Sequence, residues 1–144
     1  MPKSTSTCNS IVNLMYRATA WANVADNAAS SPFTNVYVSL HTSSPAAGTN
    51  QQTENETAYT NYARQAVARS TGWNAAASGA TANAATISFA QCGVTGATLT
   101  HVATGTGSSG VGTVWHYGAL NASLAVSSGI TPQFAAGALT VTES

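Results

Sequence analysis

Few residues in this chain are able to do chemistry, and their spacing decides what can be asked of them. Asp26 is the only aspartate. A Ser-His-Asp arrangement would depend on it, because the nucleophile needs both a base and an orienting acid within hydrogen-bond reach. It sits among alanines at the expected end of a helix, and no such triad is expected. Glu54 and Glu56 are one residue apart in a polar loop. Paired glycosidase carboxylates flank a bound sugar from structured walls, so these two read as solvated loop charges. His41, His101 and His116 fall in three different expected strands and could in principle converge on a metal. None stands at the i, i+2 or i, i+4 spacing of a local ligand motif, so they read as separate strand histidines at a sheet surface or a subunit contact. The stretch "GTGSSGVG" (105–112) has neither the lysine nor the following helix of a phosphate loop and reads as a hairpin. No catalytic residue, metal ligand or cofactor site is expected, and the chain does not read as an enzyme.

What remains is a set of side chains suited to contact. Trp115 and Tyr117 alternate with His116 on one expected strand, and Tyr59 and Tyr62 flank the start of another, beside Arg64. Aromatic stripes of this kind can stack on sugars, but more often they form cross-strand or interface pairs. With Trp21, these residues are the candidate interface: Trp21, Tyr59, Tyr62, Arg64, Trp115 and Tyr117. Cys8 and Cys92 could pair, but two cysteines make no disulfide framework, and they read as free thiols.

The elements that position these residues follow from periodicity. Between Asn9 and Ala25 the apolar positions Ile11, Val12, Leu14, Met15, Ala18, Trp21, Ala22 and Ala25 recur at helical spacing, with Asn13, Arg17 and Asn23 on the polar side. This predicts one amphipathic helix, capped by Ser6, Thr7 or Asn9 and ended between Asn27 and Pro32. After Pro32 the period changes to two. "FTNVYVSLHT" places Val36, Val38 and Leu40 on one face, and a long polar loop (43–61) precedes "YARQAVARS". Such a loop is functional or partly mobile. The runs "ATISFAQ", "ATLTHVATG", "GTVWHYGAL", "SLAVS", "TPQFAAG" and "ALTVTE" follow between turn signals. The expected fold is mainly β: a jelly-roll-like antiparallel β-sandwich of about eight strands with one N-terminal helix. The expected organisation is a single domain over residues 1–144, with 1–31 an arm and helix and 32–144 the sandwich.

Charge excludes further classes. Only 6% of the 144 residues are charged, four basic against four acidic, and none lies between Arg69 and Glu143. No basic footprint exists for nucleic acid. No apolar run approaches the roughly 20 residues of a membrane span, and the start lacks the pattern of a signal peptide, so the chain is expected to be used as translated. Ala, Ser, Thr, Gly and Asn stand where Lys and Glu usually do, which suits a surface covered at low desolvation cost. In the segment 116–144, Leu124, Val126, Leu139 and Val141 are expected to face inward, with an uncharged outer face against another protein.

The ordered blocks "VYVSLHTSSPAAG", "NYARQAV", "GW", "ISFA", "LTHVATGTGSSGVGTVWHYGAL" and "SLAVSSGITPQFAAGALTVTE" resemble a family of small virion proteins of tailed bacteriophages, often described as tail fibre proteins. The resemblance spans roughly 33–143 and is most specific at "YARQAV" and "PQFAAGALT". It implies a non-enzymatic structural component of the virion with a compact β-sandwich. A true fibre needs a repeat, a heptad shaft or a tip domain, none of which is found in the chain. The expectation is therefore a capsid decoration or cement protein bound at junctions of the major capsid protein, self-associating as a dimer or trimer, with the helix or the 43–61 loop as clamp. A tail or fibre-associated module that binds a glycan is the alternative.

Overall fold

The computed structural model describes residues 3–21, 24–25 and 32–143. Ala22, Asn23, Asp26 and residues 27–31, where the helix was expected to end, lie outside them. The chain is mainly β, with antiparallel pairing and one helix: α1 (Thr5–Arg17), β1 (Asn35–His41), β2 (Gln65–Ala68), β3 (Ala80–Ala82), β4 (Ile87–Ser88), β5 (Ala97–Gly105), β6 (Val114–Val126), β7 (Gln133–Phe134) and β8 (Thr140–Thr142). Strands run β2-β1-β5-β6 in one sheet, while β3 with β8 and β4 with β7 form two-stranded ribbons. Residues group into two compact units. One comprises Met1–Asn35, Val67–Ile87 and Phe134–Ser144, and the other Val36–Ala66 and Ser88–Gln133. The helix shares a unit with the middle and the end of the chain.

In the first unit, α1 starts earlier and stops sooner than its apolar periodicity predicts. Ser4 is the N-cap, its hydroxyl accepting from Thr7 N–H, and Ala18 closes the helix in the left-handed region at φ 53°. Thr19 N–H reaches back to the Asn13 carbonyl at 3.2 Å, taking up an acceptor near the end of the helix. A left-handed alanine costs about 1 kcal/mol, and the contacts around the last turn offset it. Arg69 donates to the carbonyls of Leu14, Met15 and Phe33, satisfying acceptors that every helix end leaves open. Periodicity sees the apolar stripe but not these side chains, which arrive from more than fifty residues away.

The polar row of α1 also faces protein. Asn9, Asn13 and Arg17 recur every four residues and bind Gly79 N–H, Ala76 N–H and the Trp73 carbonyl in turn. The adjacent row Cys8, Val12 and Tyr16 is buried, and Tyr16 meets Trp73 edge-on at 4.7 Å between ring centroids. Asn83, fully buried, ties in the end of the chain: its amide donates to Ala85 O and Ala135 O and its oxygen accepts from Leu139 N–H, each at 2.8 Å. Buried polar groups persist where they are satisfied in this way.

In the second unit, β5 pairs antiparallel with β1 on one side and β6 on the other. Val36, Val38 and Leu40 are buried as the alternation predicts, but Ser39 and His41 on the opposite face are buried as well. The runs expected as two strands, "GTVWHYGAL" and "SLAVS", form the single strand β6. Its register against β5 shifts between Leu99 and His101, so that Leu120–Ser123 lie outside the regular ladder. No Gly or Pro separates Leu120 from Ser123, and a bulge absorbs the residues that a turn would have used. β3 escaped the sequence reading because Ala-Thr-Ala carries no large apolar signal.

Residues 116–143 are mostly surface rather than core. Val126, Leu139 and Val141 are buried, but Leu124 is 39% exposed and so does not face inward as expected. Cys8 and Cys92 are buried free thiols.

Candidate interaction surface

The long 43–61 loop is pinned within its own unit. Gln52 is fully buried. Its amide donates to Tyr37 O at 3.1 Å, and its oxygen accepts from Gly107 N–H at 2.8 Å. The β5–β6 hairpin needs glycine here for close approach: a Cβ on Gly112 would stand 2.3 Å from the Gln52 oxygen, and one on Gly105 would stand 2.5 Å from its Cδ.

Beside it, Arg64 grips Glu56 with two parallel bonds of 2.7 Å and donates to the carbonyls of Gly107 and Gly110 at 2.9 and 2.7 Å. Tyr62 hydroxyl donates to Glu56 at 2.8 Å and accepts from Leu40 N–H at 3.0 Å. Burial pushes the Tyr62 phenol well above its usual range, so it remains a neutral donor. The Arg64 guanidinium is raised by its hydrogen bonds to Glu56. Glu56 is therefore not a solvated loop charge: its side chain is 15% exposed and paired. Glu54 accepts from Thr49 N–H and hydroxyl at 2.8 and 2.9 Å, bonds that hold its carboxyl below the usual range.

The histidines come together only in part. His41 and His101 are direct cross-strand partners, whereas His116 stands opposite Thr104. Among the described residues no group of three His, Cys, Asp or Glu side chains is placed to hold a metal. His41 is fully buried, with one ring nitrogen 2.9 Å from Ser39 Oγ and the other 2.9 Å from the Glu54 carbonyl. Burial lowers its pKa, and the Glu54 carbonyl opposes that shift. A histidine whose folded pKa lies below its unfolded value contributes fully above roughly pH 6.5 and destabilises as pH falls below it. Urea midpoints should therefore drop between about pH 7.5 and about pH 5.5, and His41→Gln should flatten that dependence. A wild-type midpoint constant across this window would refute the assignment.

The candidate interface residues separate by burial. Tyr59 is 2% exposed and Arg64 9%, so both of these candidate interface residues are buried within the chain. Tyr59 hydroxyl donates to Ala90 O at 2.9 Å, and its ring meets Tyr62, which stacks on Phe89. Trp21 belongs to the other unit, half-buried and bridged to Ala25. Tyr117 is 54% exposed, and Trp115, like Tyr62, is half-buried.

Trp115 and Tyr117 lie on β6. It ends the four-stranded sheet and is exposed or half-buried at every residue except Val126. It carries no Lys, Arg, Asp, Glu or Pro, the devices with which proteins usually blunt a free strand edge. Its beginning is covered, since Val114 N–H binds Asn50 O at 3.0 Å and Gln51 pairs with Thr113. The signal available in sequence was the charge gap; the position of this strand at an edge was not legible.

Searching the curated proteins finds no match. The sequence pattern of the family described as podophage GP4 fiber I protein gp80 matches residues 2–142. A match over nearly the whole chain establishes that the chain belongs to this family of phage virion structural proteins.

Proposed function

We propose that the protein is a non-enzymatic component of a phage fibre that works by protein–protein contact through its uncharged surface. The observation that carries this reading is the exposed, charge-free strand β6 in a chain whose family is described as a fibre protein. The buried Arg64–Glu56 pair and Gln52 serve that surface by holding the loops next to its start. A mainly β chain with an exposed, uncharged strand suits a part that assembles with other chains more than one that turns over a substrate.

A second reading, decoration of the head at junctions of the major capsid protein, is favoured by the want of heptads or repeats in the sequence. Immunogold labelling of intact virions with antibody to this chain, together with its copy number relative to the major capsid protein, separates the two. Label on the tail at a number matching the fibres supports the proposal. Label over the head at a number matching the shell lattice overturns it in favour of decoration.

A further inference from the structure

We infer that Ser39 and Gln52 join covalently after folding, through an ester between the Ser39 oxygen and the Gln52 side-chain carbon, formed with loss of ammonia. Three fully buried polar side chains meet inside the second unit: Ser39, His41 and Gln52. Ser39 and His41 stand two residues apart on β1, and Gln52 comes from the 43–61 loop. Ser39 Oγ lies 2.9 Å from His41 Nε2, and His41 Nδ1 lies 2.9 Å from the Glu54 carbonyl. That carbonyl can only accept, so Nδ1 carries the imidazole proton and Nε2 is left as a base facing the serine hydroxyl. Nucleophile, base and orienting acceptor thus stand in the order that activates a serine, with a backbone carbonyl where a carboxylate is more usual. Burial lowers the His41 pKa, which keeps the base unprotonated at neutral pH.

Gln52 is placed as the group attacked. Its Nε2 stands 3.5 Å from Ser39 Oγ and 3.1 Å from the Tyr37 carbonyl, and its Oε1 accepts from Gly107 N–H at 2.8 Å. The amide carbon is one bond from that nitrogen, so a small shift of the side chain brings it to the roughly 3–3.5 Å of an attack geometry. As Ser39 Oγ bonds to Gln52 Cδ, the hydroxyl proton passes to His41 Nε2, and the charge gathering on Oε1 falls on the Gly107 N–H. His41 then gives that proton to Gln52 Nε2, the Cδ–Nε2 bond breaks, and ammonia departs. The step occurs once per chain and consumes no other reactant. Its product is sheltered from water, because Gly105 and Gly112 let the β5–β6 hairpin close on the Gln52 amide. The ester would lock the 43–61 loop to β1.

Intact-mass spectrometry of the full-length chain, kept folded at neutral pH, tests this. The mass should fall below that of the sequence by one ammonia. Trypsin releases both residues on a single peptide, bounded by Arg17 and Arg64. Fragmenting that peptide should yield no ions from breaks between 40 and 51, where the ring holds both halves together. Hydroxylamine added to the unfolded chain should open the ring and leave a hydroxamate at 52. Ser39→Ala should retain the full mass, and His41→Gln should slow the loss about a hundredfold. Folded wild type that keeps the full mass, or loses ammonia at any other place, overturns the proposal however the variants fold. Loss that persists undiminished in Ser39→Ala overturns it as well.

Discussion

Arg64→Ala should cost about 3–5 kcal/mol of unfolding free energy, the range for removing one partner of a buried ion pair. The Arg64 and Glu56 side chains are 3% and 15% exposed, so the deletion leaves a carboxylate with little access to water and the Tyr62 hydroxyl as a neutral donor. It also strips the carbonyls of Gly107 and Gly110 of their donor. Arg64→Lys should recover only part of the loss, because one ammonium cannot fork across both Glu56 oxygens while reaching two carbonyls. Urea denaturation at neutral pH gives the number, and a loss below about 1 kcal/mol, the level of a surface pair, would contradict the buried assignment. Because these contacts fix the β5–β6 loop, amide exchange in 106–113 should accelerate more than in β1.

Arg69→Ala is expected to cost about 3 kcal/mol or more by a different route. Its guanidinium binds three backbone carbonyls, Leu14, Met15 and Phe33, and burial lowers its pKa. Losing it leaves two carbonyls at the end of α1 and one before β1 without their donor, each costing about 1–3 kcal/mol where water cannot replace it. The helix should then fray from its C-terminal end, with faster amide exchange at Tyr16–Thr19 than at Cys8–Val12. Uniform acceleration along α1 would show that Arg69 holds the helix against its unit rather than capping it. Arg69→Lys should not restore the midpoint, since one ammonium cannot span three acceptors in a plane.

These two arginines show where sequence reasoning succeeded and where it stopped. The block "YARQAVARS" stood out as a strand, and Arg64 was singled out as a possible contact residue. Its true role depends on Glu56, eight residues earlier, and on loop carbonyls more than forty residues later. Arg69 and Gln52 carried no signal at all: an arginine after a strand and a glutamine in a polar loop look solvated until the segments they join are brought together. The helix was legible as an element because Ile11, Val12, Leu14 and Met15 recur at helical spacing, although the face it buries is Cys8, Val12 and Tyr16. Its ends were not, because caps depend on single side chains and on distant donors.

Composition and local periodicity were enough to determine a mainly β chain with one helix and a surface almost free of charge, since each is written in neighbouring residues or in a sum over them, while the resemblance to phage virion proteins was carried by the ordered blocks of sequence. Only the tertiary structure decided which side chains are surface. It buried Tyr59, Arg64, Ser39 and His41, turned Leu124 outward, and made two expected strands into one. Burial is a property of what packs opposite a residue. In an antiparallel sheet the opposite residue is chosen by register, and one bulge resets that choice for every position beyond it.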